Sequence, residues 1–219
     1  MKPLPEPVRA DSLSRQVFGI LKEALFQGKF KPGEQLPEIQ VARWLNVSQA
    51  TVREALVQLE QAGLVVRHKN RKTQVTVLTS EEVLDRLTMR MALEPLAAVK
   101  AAEAMSPSEL EELRMKVALM NEATAETTDY EKAIADMDFH QFIWGKAGSP
   151  VFSRMLEQLS TPLFAFLKPE QHENSSSHQA LVEAMQSGNK EAIEQEVRAH
   201  IQGSYQSFFN SSEKVAATA

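Results

Sequence analysis

Residues 47–66, VSQATVREALVQLEQAGLVV, leave the chain little choice of local fold. Ser48 is an N-cap residue, because its hydroxyl can accept from the free N–H groups that open a helix. Val52, Ala55, Leu56, Leu59 and Ala62 then recur at helical spacing and make one apolar stripe. Gly63 stands where a C′ glycine stops a helix, and the β-prone Leu64-Val65-Val66 follows. Immediately upstream, PEIQVARWL (residues 37–45) spaces Ile39, Ala42 and Leu45 for a short helix, and Asn46-Val47 turns the chain. A short helix, a tight turn and a second helix form a helix-turn-helix, whose second helix enters the DNA major groove. Gln49, Thr51 and Arg53 are the hydrogen-bonding side chains on its first turns.

The flanking segments complete a winged version of that plan. Residues 12–27 place Val17, Ile20, Leu21, Ala24 and Leu25 on one stripe and predict a supporting helix. Residues 64–68 and 74–78 are β-prone runs joined by Lys69-Asn70-Arg71-Lys72, a hairpin with three cations at its tip. The candidate DNA contacts are therefore Arg43, Ser48, Gln49, Thr51, Arg53, Lys69, Arg71 and Lys72. An ordinary α+β fragment could show the same pattern, and charge separates the two readings. Residues 1–79 carry 12 Lys and Arg against 7 Asp and Glu, whereas the remainder carries 12 against 22. A basic head on an acidic body assigns nucleic-acid contact to the head alone.

With 219 residues the chain has room for two modest domains: a winged helix-turn-helix at 8–79 and an all-helical effector-binding and dimerisation domain at 80–211. It has no cysteine, which excludes disulfides and thiolate metal sites. The N-terminus lacks an apolar signal core, and no run approaches the ~20 apolar residues of a membrane span. These features predict a soluble, cytoplasmic protein without a membrane partner.

After Thr79 the pattern is helical throughout. A long helix is expected from Ser80 to about Ala104, bent near Pro95. Ser106-Pro107-Ser108-Glu109 is a capping box with proline at N1. Further helices are expected from Asp129 to near Gly148, from Ser149-Pro150, over about 177–187, and from Lys190 to about Phe209. The fold class is thus mainly α: a winged helix-turn-helix with an α/β wing, followed by an all-α antiparallel bundle.

Asp136 and His140 lie four apart and share a helix face, and neighbouring Phe139, Phe142 and Ile143 turn that face inward. His178 precedes the core stripe of Leu181, Val182 and Met185; His200 lies among Val197, Ile201 and Ser204. Three imidazoles and one carboxylate from three helices could meet on one divalent cation and leave positions open to water. A lone inward histidine is more often a hydrogen-bonded core residue than a ligand, and an i,i+4 Asp–His pair is compatible with a simple helix contact. His172, in a polar loop, is read as solvated. Glu196 could orient His200 or face solvent.

Two stretches carry a resemblance. GKFKPGEQL (28–36) with LNVSQATVREALVQLEQAGLV (45–65) resembles the winged-helix domain of the GntR superfamily of bacterial transcription regulators. Gln49 and Thr51 depart from its frequent Arg and Pro, and Arg71 or Lys72 replaces a wing glycine; Gln favours adenine where Arg favours guanine. RMALEPLAAVKAA (90–102), DMDFHQFIWGKAGSPVF (136–152) and SHQALVEAMQSGNKEAIEQEVRAHI (177–201) resemble the effector-binding domain of its FadR branch, the FCD type. That resemblance implies Asp136, His140, His178 and His200 as ligands of a divalent transition metal (zinc, nickel, manganese or iron), with a small organic acid beside it.

Such a cation, held by one carboxylate and neutral imidazoles, stays net positive and suits an anionic effector. Arg90 could fork onto a carboxylate of that effector, or pair with Glu94 on the helix surface. The resulting expectation is a homodimeric regulator, a repressor of a metabolic operon, that reads double-stranded operator DNA and responds to a small organic acid. Histidines and a carboxylate with open positions also describe metal-dependent enzymes. No separate acid, base or nucleophile accompanies the set, so the chain is read as non-enzymatic. In a third reading the bundle is only a dimerisation platform.

Overall fold

The computed structural model describes residues 13–68, 72–124, 126–167, 175–206 and 208. Among them the N-terminal part runs α1 (Leu13–Phe26), α2 (Glu38–Leu45), α3 (Gln49–Gln61), β1 (Val65–Arg67) and β2 (Thr73–Val75). Val17, Leu21, Leu25, Val41, Val52, Leu56 and Leu59 bury the inner faces of the three helices in one core. α2 ends at Asn46, whose φ of 51° is the left-handed conformation a short polar residue tolerates. α3 ends in a Schellman motif: Gly63 N–H donates to Glu60 O and Leu64 N–H to Leu59 O, both at 2.9 Å.

The two strands pair antiparallel with Val65 opposite Val75 and Arg67 opposite Thr73. The loop after α1 joins them, since Leu36 N–H donates to Thr73 O and Val75 N–H donates to Glu34 O. Extended backbone from residues 33–36 therefore closes the free edge of β2.

The C-terminal part comprises α4 (Ser80–Ala104), α5 (Pro107–Asn121), α6 (Asp129–Lys146), α7 (Pro150–Phe166), α8 (Ser175–Ser187) and α9 (Lys190–Ser204). Thr79, Ser106 and Thr128 open α4, α5 and α6 with complete capping boxes. Leu87, Ala97, Ala101, Leu113, Phe139, Ile143, Trp144, Leu163, Val182 and Ile201 form the bundle core. No helix among the described residues is long and apolar enough to cross a membrane.

Two prolines lie inside helices, and each leaves the carbonyl four residues earlier without its helical donor. For Pro95 in α4 that carbonyl is Met91 O, and Arg198 from α9 donates to it. For Pro162 in α7 it is Gln158 O, which accepts from Arg86 Nη1 of α4 at 3.1 Å. A guanidinium from a neighbouring helix thus repairs each break, and α4 continues unbroken to Ala104.

The last helix runs to Ser204, and its expected end at about Phe209 lies outside the described residues. Tyr205 leaves helical geometry at φ −127°, ψ 26°, and its ring buries to 2% exposure with the Arg90 guanidinium 6.0 Å from its centre. α8 starts at Ser175, two residues before its expected position. His172 and the expected wing-tip contacts Lys69 and Arg71 lie outside the described residues.

The two halves share a core. Met137 of α6 and Phe164 of α7 pack into the cluster that holds α1–α3 together. Gly63 closes the contact from the other side. At its φ of +74°, a Cβ would sit 2.8 Å from Pro162 Cγ.

Candidate metal centre and DNA-reading face

α6 presents Asp136 and His140 one turn apart, α8 brings His178 and α9 brings His200, in keeping with the inward faces read from the sequence. His140, His178 and His200 are 1%, 4% and 4% exposed. The Asp136 side chain keeps 15%, so one edge of the cluster meets the outside. His178 Nε2 lies 3.0 Å from Asp136 Oδ1, and His140 Nε2 lies 3.4 Å from the same oxygen. The Nε2 atoms of His140 and His200 are 3.1 Å apart. One ligand nitrogen from each histidine falls within 4.8 Å of the other two.

These separations suit a shared cation. For ligands about 2.1 Å from a centre, neighbouring donor atoms lie about 3.0 Å apart at right angles and about 3.4 Å apart at tetrahedral angles. Neutral imidazole nitrogen and carboxylate oxygen are donors for zinc, nickel, manganese and iron alike. The residues present therefore fit a divalent transition metal.

The electrostatics favour a charged cluster. Burial pushes the Asp136 carboxyl up, but hydrogen bonds and charge from His140 and His178 outweigh it and hold the group well below the usual carboxylate range. Burial also pushes His140 down, yet Glu94 and Asp136 overcome this and raise it. His200 is driven well below the usual imidazole range by burial, then by repulsion from His178 and His140. A neutral imidazole, lone pair available, is the form a metal requires.

Behind the cluster lies a buried ion pair that combines the two alternatives read from the sequence for Arg90, an inward side chain and a Glu94 partner. Arg90 pairs with Glu94, with Nε to Oε2 at 2.9 Å, but on the inside of α4, with side chains 1% and 3% exposed. The other carboxylate oxygen, Glu94 Oε1, is 2.8 Å from His140 Nδ1. The Arg90 guanidinium also lies 5.8 Å from the Phe164 ring centre. Glu94 is thus a site residue that sequence reasoning overlooked. The signal was present: Val83, Leu87, Arg90, Glu94, Ala97 and Ala101 alternate at spacings of four and three, so both charges sit on the apolar stripe. Glu196 lies half-buried on α9, one turn before His200.

On the opposite part of the molecule, α3 buries Val52, Ala55, Leu56 and Leu59 and turns Gln49 and Arg53 outward. Ser48 Oγ accepts from Thr51 N–H at 3.1 Å and lies 2.8 Å from Thr51 Oγ1, so both hydroxyls help to open the helix. Arg53 spans the two helices of the motif. Its Nε and Nη2 donate to Glu38 Oε2 on α2 at 3.2 and 2.9 Å, while 47% of its side chain stays exposed. Arg67 on β1 approaches both Glu38 and Glu60, at 3.9 and 3.8 Å. Arg43 and Lys72 are exposed, near the end of α2 and beside the wing strand β2.

Comparison with known proteins agrees with both halves. Residues 85–203 match the FCD domain family, and residues 13–75 match the gntR family of bacterial regulatory proteins. The chain is 28% identical over 193 residues to the HTH-type transcriptional regulator YdhC of Bacillus subtilis, covering 84% of this chain and 86% of that one. It is 23% identical to the HTH-type transcriptional repressor NanR of Enterobacter sp. (strain 638), covering 89% of this chain and 85% of that one. Among solved structures, Escherichia coli McbR/YncC superposes with a TM-score of 0.77 at 25% identity, covering 92% of this chain and 99% of that one. The matched domains and relatives are regulators of transcription rather than enzymes. With more than half of its length in the FCD match and a gntR-type winged helix before it, the chain belongs to the FCD-containing branch of the GntR family of bacterial transcription regulators.

Proposed function

We propose that this regulator is a homodimeric repressor whose bundle holds one divalent transition metal and senses a small carboxylic acid beside it. The observation that carries the reading is the meeting of His140, His178 and His200 from three helices, with one ligand nitrogen of each within 4.8 Å of the others and Asp136 Oδ1 beside the Nε2 atoms of His178 and His140. The cation would be held by these four residues and would supply a positive charge and open coordination positions that attract and chelate an anion. Arg90, buried behind the cluster, would be the second anion-binding group. In DNA binding, α3 would enter the major groove with Gln49, Thr51 and Arg53, with Ser48 at its start. Arg43, Lys69, Arg71 and Lys72 would face phosphates.

A second copy is supported by apolar surface left outside. Met89 on α4 and Met155 on α7, 51% and 47% exposed, border one crevice, with Leu96 on α4 at 47%. Two reading heads on such a dimer would address the halves of a pseudo-palindrome. The effector acts only through a difference in affinity between DNA-competent and incompetent arrangements of the heads. The contact of Phe164 with both the Arg90 pocket and the α1–α3 core supports transmission along α7.

The test is elemental analysis of tag-free protein purified without chelator, beside His140→Ala, followed by operator binding with small carboxylic acids added. About one metal ion per chain in the wild type, lost in the variant, is the expected result. No metal after refilling with zinc, nickel and manganese would remove the metal from this reading and leave the DNA-reading half standing.

A further inference from the structure

We infer that Glu94 is a positioning residue of the metal centre: its carboxylate sets the nitrogen that His140 offers to the cation. The inference rests on the proposed metal site and assigns it a residue outside the four ligands. Glu94 stands between two groups, with Oε1 2.8 Å from His140 Nδ1 and Oε2 2.9 Å from Arg90 Nε. Its side chain is 3% exposed, so no bulk solvent substitutes for either contact. A carboxylate beside Nδ1 keeps the proton on that nitrogen. The lone pair is then on Nε2, the atom that faces His200 Nε2 and Asp136 Oδ1.

The arrangement demands an ionised carboxylate and not merely a polar side chain. Arg90 Nε–H and the protonated His140 Nδ1 are both donors, and each requires an acceptor. A glutamine offers one acceptor oxygen and one donor nitrogen. It can serve Arg90 or His140 but must turn N–H groups toward the other. Arg90 in turn places a guanidinium against Glu94 in a buried place, with side chains 1% and 3% exposed. His140 Nδ1 has the Glu94 carboxylate 2.8 Å away, though not in line for a hydrogen bond, whereas His178 Nδ1 has neither a hydrogen-bond nor an ion-pair partner among the described residues. The outward nitrogen of His140 is therefore the one the fold has equipped with a carboxylate to govern ligation.

The experiment compares full-length wild type, Glu94→Gln and the double variant Arg90→Leu/Glu94→Gln. Zinc affinity is measured by competition with a chromophoric chelator, and the visible spectrum of the cobalt(II)-loaded proteins is recorded. Loss of such an outer partner costs roughly 10- to 100-fold in metal affinity, so Glu94→Gln should bind zinc that much more weakly and shift the cobalt bands. In the double variant the glutamine oxygen has no guanidinium to serve, and affinity should recover at least in part. Wild-type affinity and an unchanged cobalt spectrum in Glu94→Gln would overturn the inference while leaving the metal site intact. Failure of the wild type itself to bind zinc or cobalt would overturn the metal site, and the role of Glu94 with it. If Glu94→Gln does not fold, proton NMR of zinc-loaded wild type decides. A downfield, slowly exchanging proton on Nδ1 of His140 supports the inference, and ligation through Nδ1 with the proton on Nε2 overturns it.

Discussion

Replacing Gly63 by alanine tests how the reading head is seated on the bundle, and the structure provides its own control. Gly63 and Gly188 both have left-handed backbones, at φ +74° and +65°, and both lie just past helix ends, Gly63 after the cap residue Ala62 and Gly188 after Ser187. An L-residue in that conformation costs roughly 1–2 kcal/mol, so both Gly→Ala variants should lose about that much. They differ in what the new methyl meets. At Gly188 nothing lies within 4 Å, whereas at Gly63 the Cβ would be 2.8 Å from Pro162 Cγ and 3.7 Å from Arg86 Nη2. A proline ring inside α7 cannot rotate away, so the head must shift, and overpacking of this kind costs about 1–3 kcal/mol more. Gly63→Ala should therefore be destabilised by about 2–5 kcal/mol and Gly188→Ala by about 1–2 kcal/mol. Urea unfolding at one fixed protein concentration measures both, so that any self-association bears equally on the two variants. Adding Pro162→Ala to Gly63→Ala should recover part of the excess and none of the backbone cost. Equal losses at Gly63 and Gly188 would refute the steric argument and with it the close seating of the head.

Three further outcomes follow from particular contacts. Arg86→Met should cost about 1–3 kcal/mol by stranding the Gln158 carbonyl, and much less in a Pro162→Ala background, where residue 162 regains its N–H; a double-mutant cycle with no coupling would contradict this. Arg53→Ala should weaken operator binding by about 1–3 kcal/mol, read by fluorescence anisotropy at fixed salt, and Glu38→Ala should also change it because Glu38 holds that guanidinium; unchanged affinity in a folded Arg53→Ala protein would count against placing α3 in the groove. Glu109 is held at about 2 by Lys146, then by the backbone and hydroxyl of Ser106. Its folded value lies below the unfolded one, so its contribution is present above the ordinary carboxylate range and fades as pH falls toward about 2. Lys146→Met should raise the midpoint seen by carboxyl NMR, and an unmoved midpoint would disprove the pairing.

Local signals in the sequence were reliable where a few neighbouring residues decide the structure. The Ser48 cap, the Gly63 stop, the Ser106–Glu109 capping box and the two-helix motif between Pro37 and Gly63 all depend on neighbours within a turn or two. The i,i+4 spacing of Asp136 and His140 likewise gave a shared face, and the core stripes of α8 and α9 pointed His178 and His200 inward. What stayed hidden depends on partners distant in the chain. Glu38 meets Arg53 across the turn, Glu94 meets His140 between helices, and Arg198 reaches the carbonyl that Pro95 frees. Arg90 illustrates the limit well. Its i,i+4 partner was readable, but burial of the pair was not, because a charged pair on a helix ordinarily faces water. Tyr205 departs from helical geometry after Ser204 for the same reason: its burial beside Arg90 involves a residue 115 positions away in the chain.

The apolar cluster of the winged helix extends past its own sequence into α6 and α7 through Met137 and Phe164. A fragment cut after Thr79 would lack these two buried side chains and expose the surface beneath them to water. Grafting this head onto another regulator body is therefore not a matter of joining a linker. The recipient must supply a methionine-sized and a phenylalanine-sized group at matching positions, or the transplanted head will be a weaker and stickier module than it is at home.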